Sequence, residues 1–113
     1  MANADFQPRT AIRRNQAWTS GDGDTLLRLQ EDGNFVVYRN GKAAWQAEGV
    51  YPNGDTAAFE TDGVLAVYNA TGKRIWNSDT AGNFGATLSV QDDGNIVIYD
   101  STGKPIWATN TSG

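Results

Sequence analysis

Apolar and polar positions alternate in three short stretches of the chain, in the same way each time. Phe35 and Val37, Leu65 and Val67, and Ile96 and Ile98 take every second position. A period of two is that of a strand with one face toward a core. The stretches, residues 34–38, 64–68 and 95–99, follow the pairs Asp32-Gly33, Asp62-Gly63 and Asp93-Gly94. Before each pair lies another strand-like stretch, 26–30, 56–60 and 87–91. Asp-Gly between such stretches predicts a hairpin, because glycine accepts the positive φ that the turn needs. A second turn, carrying Gly-Lys, then leads to a third strand around Trp45, Trp76 and Trp107. A fourth strand is expected ahead of each hairpin, within 11–19, 50–55 and 80–85. No stretch sustains a 3.6-residue apolar period, so no substantial helix is expected.

The markers share a period. Trp45, Trp76 and Trp107 are 31 residues apart, as are Gly41-Lys42, Gly72-Lys73 and Gly103-Lys104. Such periodicity decides architecture before local propensity does. It divides a single domain, 1–113, into repeats of about 11–48, 49–79 and 80–113. A small sheet with one apolar face cannot bury it alone. Three antiparallel four-stranded sheets can bury their faces against one another around a pseudo-threefold axis, with the three tryptophans at the centre. The expected fold is all-β, a triangular prism; a β-trefoil is the rival, with longer units. Trp18, outside the period, is expected to fill one end of the core.

Composition narrows the field. The 113 residues can form a core without disulfides or metals, and the chain has no cysteine and no histidine. Thirteen glycines and one methionine accompany many Val, Ile, Tyr and Trp, as in all-β proteins. The net charge of −4 argues against nucleic acid. Arg9, Arg13 and Arg14 read as a solvated edge. No apolar run approaches a membrane span, and residues 1–10 lack the apolar core of a signal peptide. Cytoplasmic and processed secreted forms both stay open. Asp22-Gly23-Asp24 lacks EF-hand spacing and reads as a solvated turn; no metal or other cofactor is expected. Glycoside hydrolysis needs two carboxylates flanking one bond, and Asp32 and Asp93 fall in different repeats, so no catalytic residues are expected.

A second pattern overlies the first. Gln30, Asp32, Asn34, Val36 and Tyr38 read Q-x-D-x-N-x-V-x-Y, and Gln91, Asp93, Asn95, Val97 and Tyr99 read the same. The middle repeat carries Glu60, Asp62, Val64, Ala66 and Tyr68 instead. These residues sit on the polar, outward face and should converge on one concave patch per repeat. An ionised Asp accepts hydrogen bonds, Asn and Gln donate and accept, and Tyr offers a hydroxyl. Asp and Asn together can saturate one ligand hydroxyl, Gln and Tyr can bond its neighbours, and Val can meet a C–H face. That inventory suits a neutral polyol with adjacent hydroxyls, which is a sugar.

Three tandem copies of this motif resemble the monocot mannose-binding, or bulb-type, lectin family related to snowdrop agglutinin. The resemblance covers residues 11–112 and includes D-G-N-F-V-V-Y at 32–38, D-G-N-I-V-I-Y at 93–99 and K-P-I-W-A-T-N-T at 104–111. It implies the β-prism II fold and binding of α-mannose without metal. It further implies that Asp32 and Asn34 hold the axial O2, Gln30 holds O3, Tyr38 holds O4 and Val36 touches the ring. Asp93, Asn95, Gln91, Tyr99 and Val97 take the same roles in the third repeat. A donor and an acceptor aimed at one hydroxyl reject an epimer that moves it. Shallow neutral pockets bind one sugar weakly, at about 1 mM or about −4 kcal/mol, so useful affinity comes from several sites acting together.

The chain departs from the family in two ways. In the middle repeat Glu60 loses the amide donor, Val64 loses donor and acceptor, and Ala66 shortens the apolar contact, so two working sites are expected. Plant members commonly carry a disulfide in the second repeat, and none is possible here. The expected partners are mannose-containing glycans, and a second copy of the chain by exchange of the C-terminal segment 108–113. The competing reading is a protein-interaction or taste-modifying type of prism with little sugar binding. Asn69 and Asn110 begin glycosylation sequons, which matter only in a eukaryotic secretory route.

Overall fold

The structure is a computed structural model and describes residues 3–112. Among these residues there are twelve strands: β1 (Ala4–Phe6), β2 (Thr10–Arg13), β3 (Gln16–Thr19), β4 (Thr25–Leu29), β5 (Phe35–Arg39), β6 (Lys42–Gln46), β7 (Thr56–Phe59), β8 (Leu65–Tyr68), β9 (Arg74–Asn77), β10 (Thr87–Val90), β11 (Ile96–Tyr99) and β12 (Pro105–Ala108). They form three four-stranded sheets, in the orders β3-β4-β5-β6, β2-β7-β8-β9 and β1-β10-β11-β12. All the pairings are antiparallel.

The inner strands follow the alternation. Phe35, Val37, Leu65, Val67, Ile96 and Ile98 are all fully buried. At the centre Trp45, Trp76 and Trp107 meet edge to face, with centroids 5.6 to 5.9 Å apart, each touching the other two. This T-shaped geometry places the positive edge of one ring against the negative face of the next. Trp18 is buried at the side, beside Phe6 at 6.4 Å, and its Nε1–H donates to Thr10 Oγ1 at 3.2 Å.

The fourth strands differ from the local expectation. Residues 50–55 and 80–85 contain no strand; the fourth strand of every sheet comes from the first nineteen residues. The expected strand within 11–19 is two strands, β2 and β3, on different sheets. Between them Asn15 takes a positive φ of 68° and Arg13 N–H bonds Gln16 Oε1 at 2.7 Å. The linkers expected as strands instead close over the Asp-Gly turns: Gly54 N–H donates to Gly33 O at 3.0 Å, and Asn83 N–H to Asp62 O at 2.9 Å. Arg14 is exposed, as expected of Arg9, Arg13 and Arg14, but it also has a structural task. Its guanidinium donates to Gly54 O, Glu31 O and Pro52 O at 2.8, 2.9 and 3.2 Å, which fastens the first turn to its linker.

The C-terminal segment is bound within its own chain. Ala108 pairs with Val97, Thr109 N–H donates to Ile96 O at 3.0 Å, and Thr111 Oγ1 donates to Gly94 O at 2.5 Å.

Candidate functional site

Each motif is built on one hairpin. In the first repeat Gln30 N–H bonds Asn34 O at 2.8 Å and Gly33 N–H bonds Gln30 O at 3.0 Å. The loop is therefore three residues, Glu31-Asp32-Gly33, with Gly33 at φ 87°. Asp32 Oδ1 accepts Asn34 N–H at 3.0 Å and closes the turn. Asp93 does the same for Asn95 at 2.9 Å, and Asp62 for Val64 at 3.3 Å. One carboxylate oxygen thus has a folding task in all three repeats, the middle one included.

The outward face is less open than its sequence implies. Val36 and Val97 are only 4% and 5% exposed, and Ala66 is fully buried. The cause is a bridge above them. Gln30 Nε2 donates to Tyr38 OH across the row that holds Val36. Gln91 Nε2 donates to Tyr99 OH at 2.9 Å across the row of Val97. The valine is a covered floor, and the amide–phenol bridge is what a ligand meets.

The bridge also stands between two depressions of the first repeat. On one side a depression of about 270 Å³ is lined by Gln30, Asn34, Val36 and Tyr38 together with Gln46. On the other, a larger one of about 800 Å³ is lined by Gln30, Asp32 and Tyr38 with Asn15 and Arg28. Gln30 and Tyr38 are common to both; Asp32 opens onto one and Asn34 onto the other. The five residues are neighbours, but they straddle a ridge instead of lining a single bowl.

The asparagines of the two motifs are held differently. Asn34 Oδ1 accepts Phe35 N–H at 3.0 Å, and its Nδ2 donates to Gln46 Oε1 at 2.9 Å. Asn95 Oδ1 accepts Ile96 N–H at 3.0 Å and Thr111 N–H at 3.3 Å. Ala108 occupies the place of Gln46, because both lie opposite the floor valine. An amide nitrogen has two donors, so Asn34 keeps one for a ligand and Asn95 keeps both.

The middle repeat is filled by an ion pair. Tyr68 OH donates to Glu60 Oε2, and Arg74 Nη2 lies 2.5 Å from Glu60 Oε1 and 3.3 Å from Tyr68 OH. The guanidinium stands over the Tyr68 ring, 5.8 Å from its centroid. Burial and the hydrogen bond to Glu60 push the Tyr68 phenol above its ordinary pKa. The hydrogen bond to Tyr68 holds Arg74 more firmly protonated. Arg74 was not singled out in the sequence, yet strand register exposes it: it lies opposite Tyr68, where Ala43 and Pro105 lie opposite Tyr38 and Tyr99. Gln46 and Arg28 are legible by the same register and not by the motif.

No family model matches the chain, and no curated protein matches it. Solved structures do. The Japanese Marasmius oreades lectin has a TM-score of 0.85 at 28% identity, covering 97% of this chain and 91% of that one. Monomeric monocot mannose-binding lectins from Gastrodia elata give 0.80 at 26% identity, covering 100% of each chain. The mannose-specific agglutinin of snowdrop (Galanthus nivalis) bulbs, complexed with methyl-α-D-mannoside, gives 0.73 at 30% identity, covering 100% of this chain and 99% of that one.

Proposed function

The chain belongs to the monocot mannose-binding, bulb-type lectin family, with its β-prism II fold, and from that premise we propose that it binds terminal α-mannose on glycans through two sites, without metal. Its structural neighbours are lectins, carbohydrate-binding proteins without catalysis, and the chain is read with them and not as an enzyme. The observation that carries two sites is the amide–phenol bridge. Gln30–Tyr38 and Gln91–Tyr99 each set one amide and one hydroxyl beside an Asp and an Asn. The middle repeat has a carboxylate paired with a guanidinium in the same place.

Calorimetry with methyl α-mannoside tests the reading. Two sugars per chain are expected, with Gln30→Ala and Gln91→Ala each reducing the count to one. Absence of heat at tens of millimolar sugar would sink it. In that event the interaction-protein reading gains, because its surface needs no sugar. For assembly, segment 108–112 lies along its own third sheet, so a homodimer by strand exchange requires its release.

A further inference from the structure

We propose that the first site is a two-ring site, in which Arg28 and Asn15 hold a second neutral sugar beside the mannose, while the third site takes one ring only. The inference rests on the mannose-lectin reading and deepens it.

The two intact motifs are alike in five residues and unlike in what flanks them. At the row of the floor valine, the first sheet carries Arg28 on β4; the third carries Ser89 on β10. Ser89 is buried and lies 3.4 Å from the Gln91 amide nitrogen, so it belongs to the bridge and offers little to solvent. Arg28 reaches outward. Its one hydrogen bond among the described residues runs from Nη2 to Asn15 Oδ1 at 3.3 Å, and no carboxylate pairs with it. Asn15 is itself oriented, donating from Nδ2 to Glu31 Oε1 at 2.7 Å.

A guanidinium has five donors in a planar fork, and Arg28 lines the depression of about 800 Å³. That volume lies within the range of small-ligand sites, about 300–1,000 Å³. The depression shares Gln30 and Tyr38 with the smaller pocket, so a ring bonded to the bridge has its next linkage within reach of Arg28. The chemistry of the wall selects a neutral ring. Arg28 supplies donors, and Asp32 and Glu31 supply acceptors. An anionic substituent would meet two carboxylates beside one cation, whereas vicinal hydroxyls can use both kinds of group.

The test uses the full chain with the third site silenced by Gln91→Ala. Calorimetry compares methyl α-mannoside with α-linked mannobioses. The disaccharide of the right linkage should bind about tenfold more tightly than the monosaccharide, the scale of one hydrogen bond to a charged group. Adding Arg28→Ala should remove that gain and leave methyl α-mannoside within about twofold, since the mannose contacts are untouched. Arg28→Gln, which keeps two donors on a shorter stem, should retain part of the gain. In the reciprocal Gln30→Ala chain, which keeps only the third site, the disaccharide should bind no better than the monosaccharide. Equal loss of both ligands in Arg28→Ala and Arg28→Gln, or no disaccharide gain at the outset, overturns the two-ring site. So does a preference for mannose 6-phosphate that disappears with Arg28, which would make the second ligand an anion. Failure of methyl α-mannoside itself overturns the mannose reading beneath it.

Discussion

Four side chains set the middle repeat apart from the two intact motifs. Glu60, Val64 and Ala66 replace the motif residues, and Arg74 pairs with Glu60 beside Tyr68. Restoring the motif alone, by Glu60→Gln, Val64→Asn and Ala66→Val, leaves a guanidinium standing over Tyr68. We expect that triple variant to stay at two sugars per chain in calorimetry, and the addition of Arg74→Ala to raise the count to three. A count of three without the arginine change would show that Arg74 is no obstacle. At the turns the critical residue is glycine. Gly33 combines φ 87° with a linker so close that a Cβ would collide with the carbonyl of Pro52. Gly33→Ala should therefore destabilise by more than about 1 kcal/mol, through both the backbone and the contact. Thermal denaturation checks this, with Gly41→Ala as the comparison, since Gly41 has a similar φ and open space around it.

Nine of the twelve strands were legible because each lies within one hairpin unit, and its partner is a few residues away in the sequence. Of the other three, β1 is not foreseen and β2 is merged with β3, because the partners of β1 and β2 are remote, β1 pairing with β10 across some eighty residues and β2 with β7, whereas β3 does lie ahead of its own hairpin, beside β4. Alternation reports that a segment is extended, but not to which sheet it belongs. The motif residues were legible as chemistry, while their division by the Gln30–Tyr38 bridge was not, because it depends on rotamers. The outer turns show how register and side chain cooperate. Asp100 Oδ1 accepts Thr102 N–H, Thr102 Oγ1–H and Lys104 N–H at 2.9, 2.6 and 3.0 Å. Asn69 Oδ1 makes the same three bonds in the second repeat. The bond from Thr102 Oγ1, with those from the loop amides, holds the Asp100 carboxyl below its usual 3.8. A depressed native pKa gives stability that is present above 3.8 and lost as the pH falls through the native value. Between about pH 5 and about pH 2, the melting temperature should fall less in Asp100→Asn than in the parent, because the amide keeps the acceptor and does not titrate. Identical slopes would assign the acid sensitivity elsewhere.

The three sheets meet at a centre of three tryptophan rings. Trp76→Ala removes one of three mutually touching rings and should cost about 3–5 kcal/mol. Chemical denaturation should show the loss, and sugar binding at temperatures where the variant stays folded should survive, since Trp76 lines neither depression of the first motif. All four positions in each sheet are filled from one chain. Light scattering should therefore give a mass near 12.2 kDa, and twice that mass would point to edge pairing or to release of segment 108–112. The threading of the first nineteen residues gives the molecule an order of disassembly. The segment lays β1 on the third sheet, β2 on the second and β3 on the first. An exopeptidase entering from the amino end would unzip the sheets in the reverse of their order along the chain. Loss of residues 1–7 would bare an edge of the sheet that carries Gln91, while the Gln30 pocket would be the last to lose its neighbour. On the two-site reading proposed above, such trimming would unsettle the sheet of the third site before that of the first, weakening crosslinking while single-site binding persists.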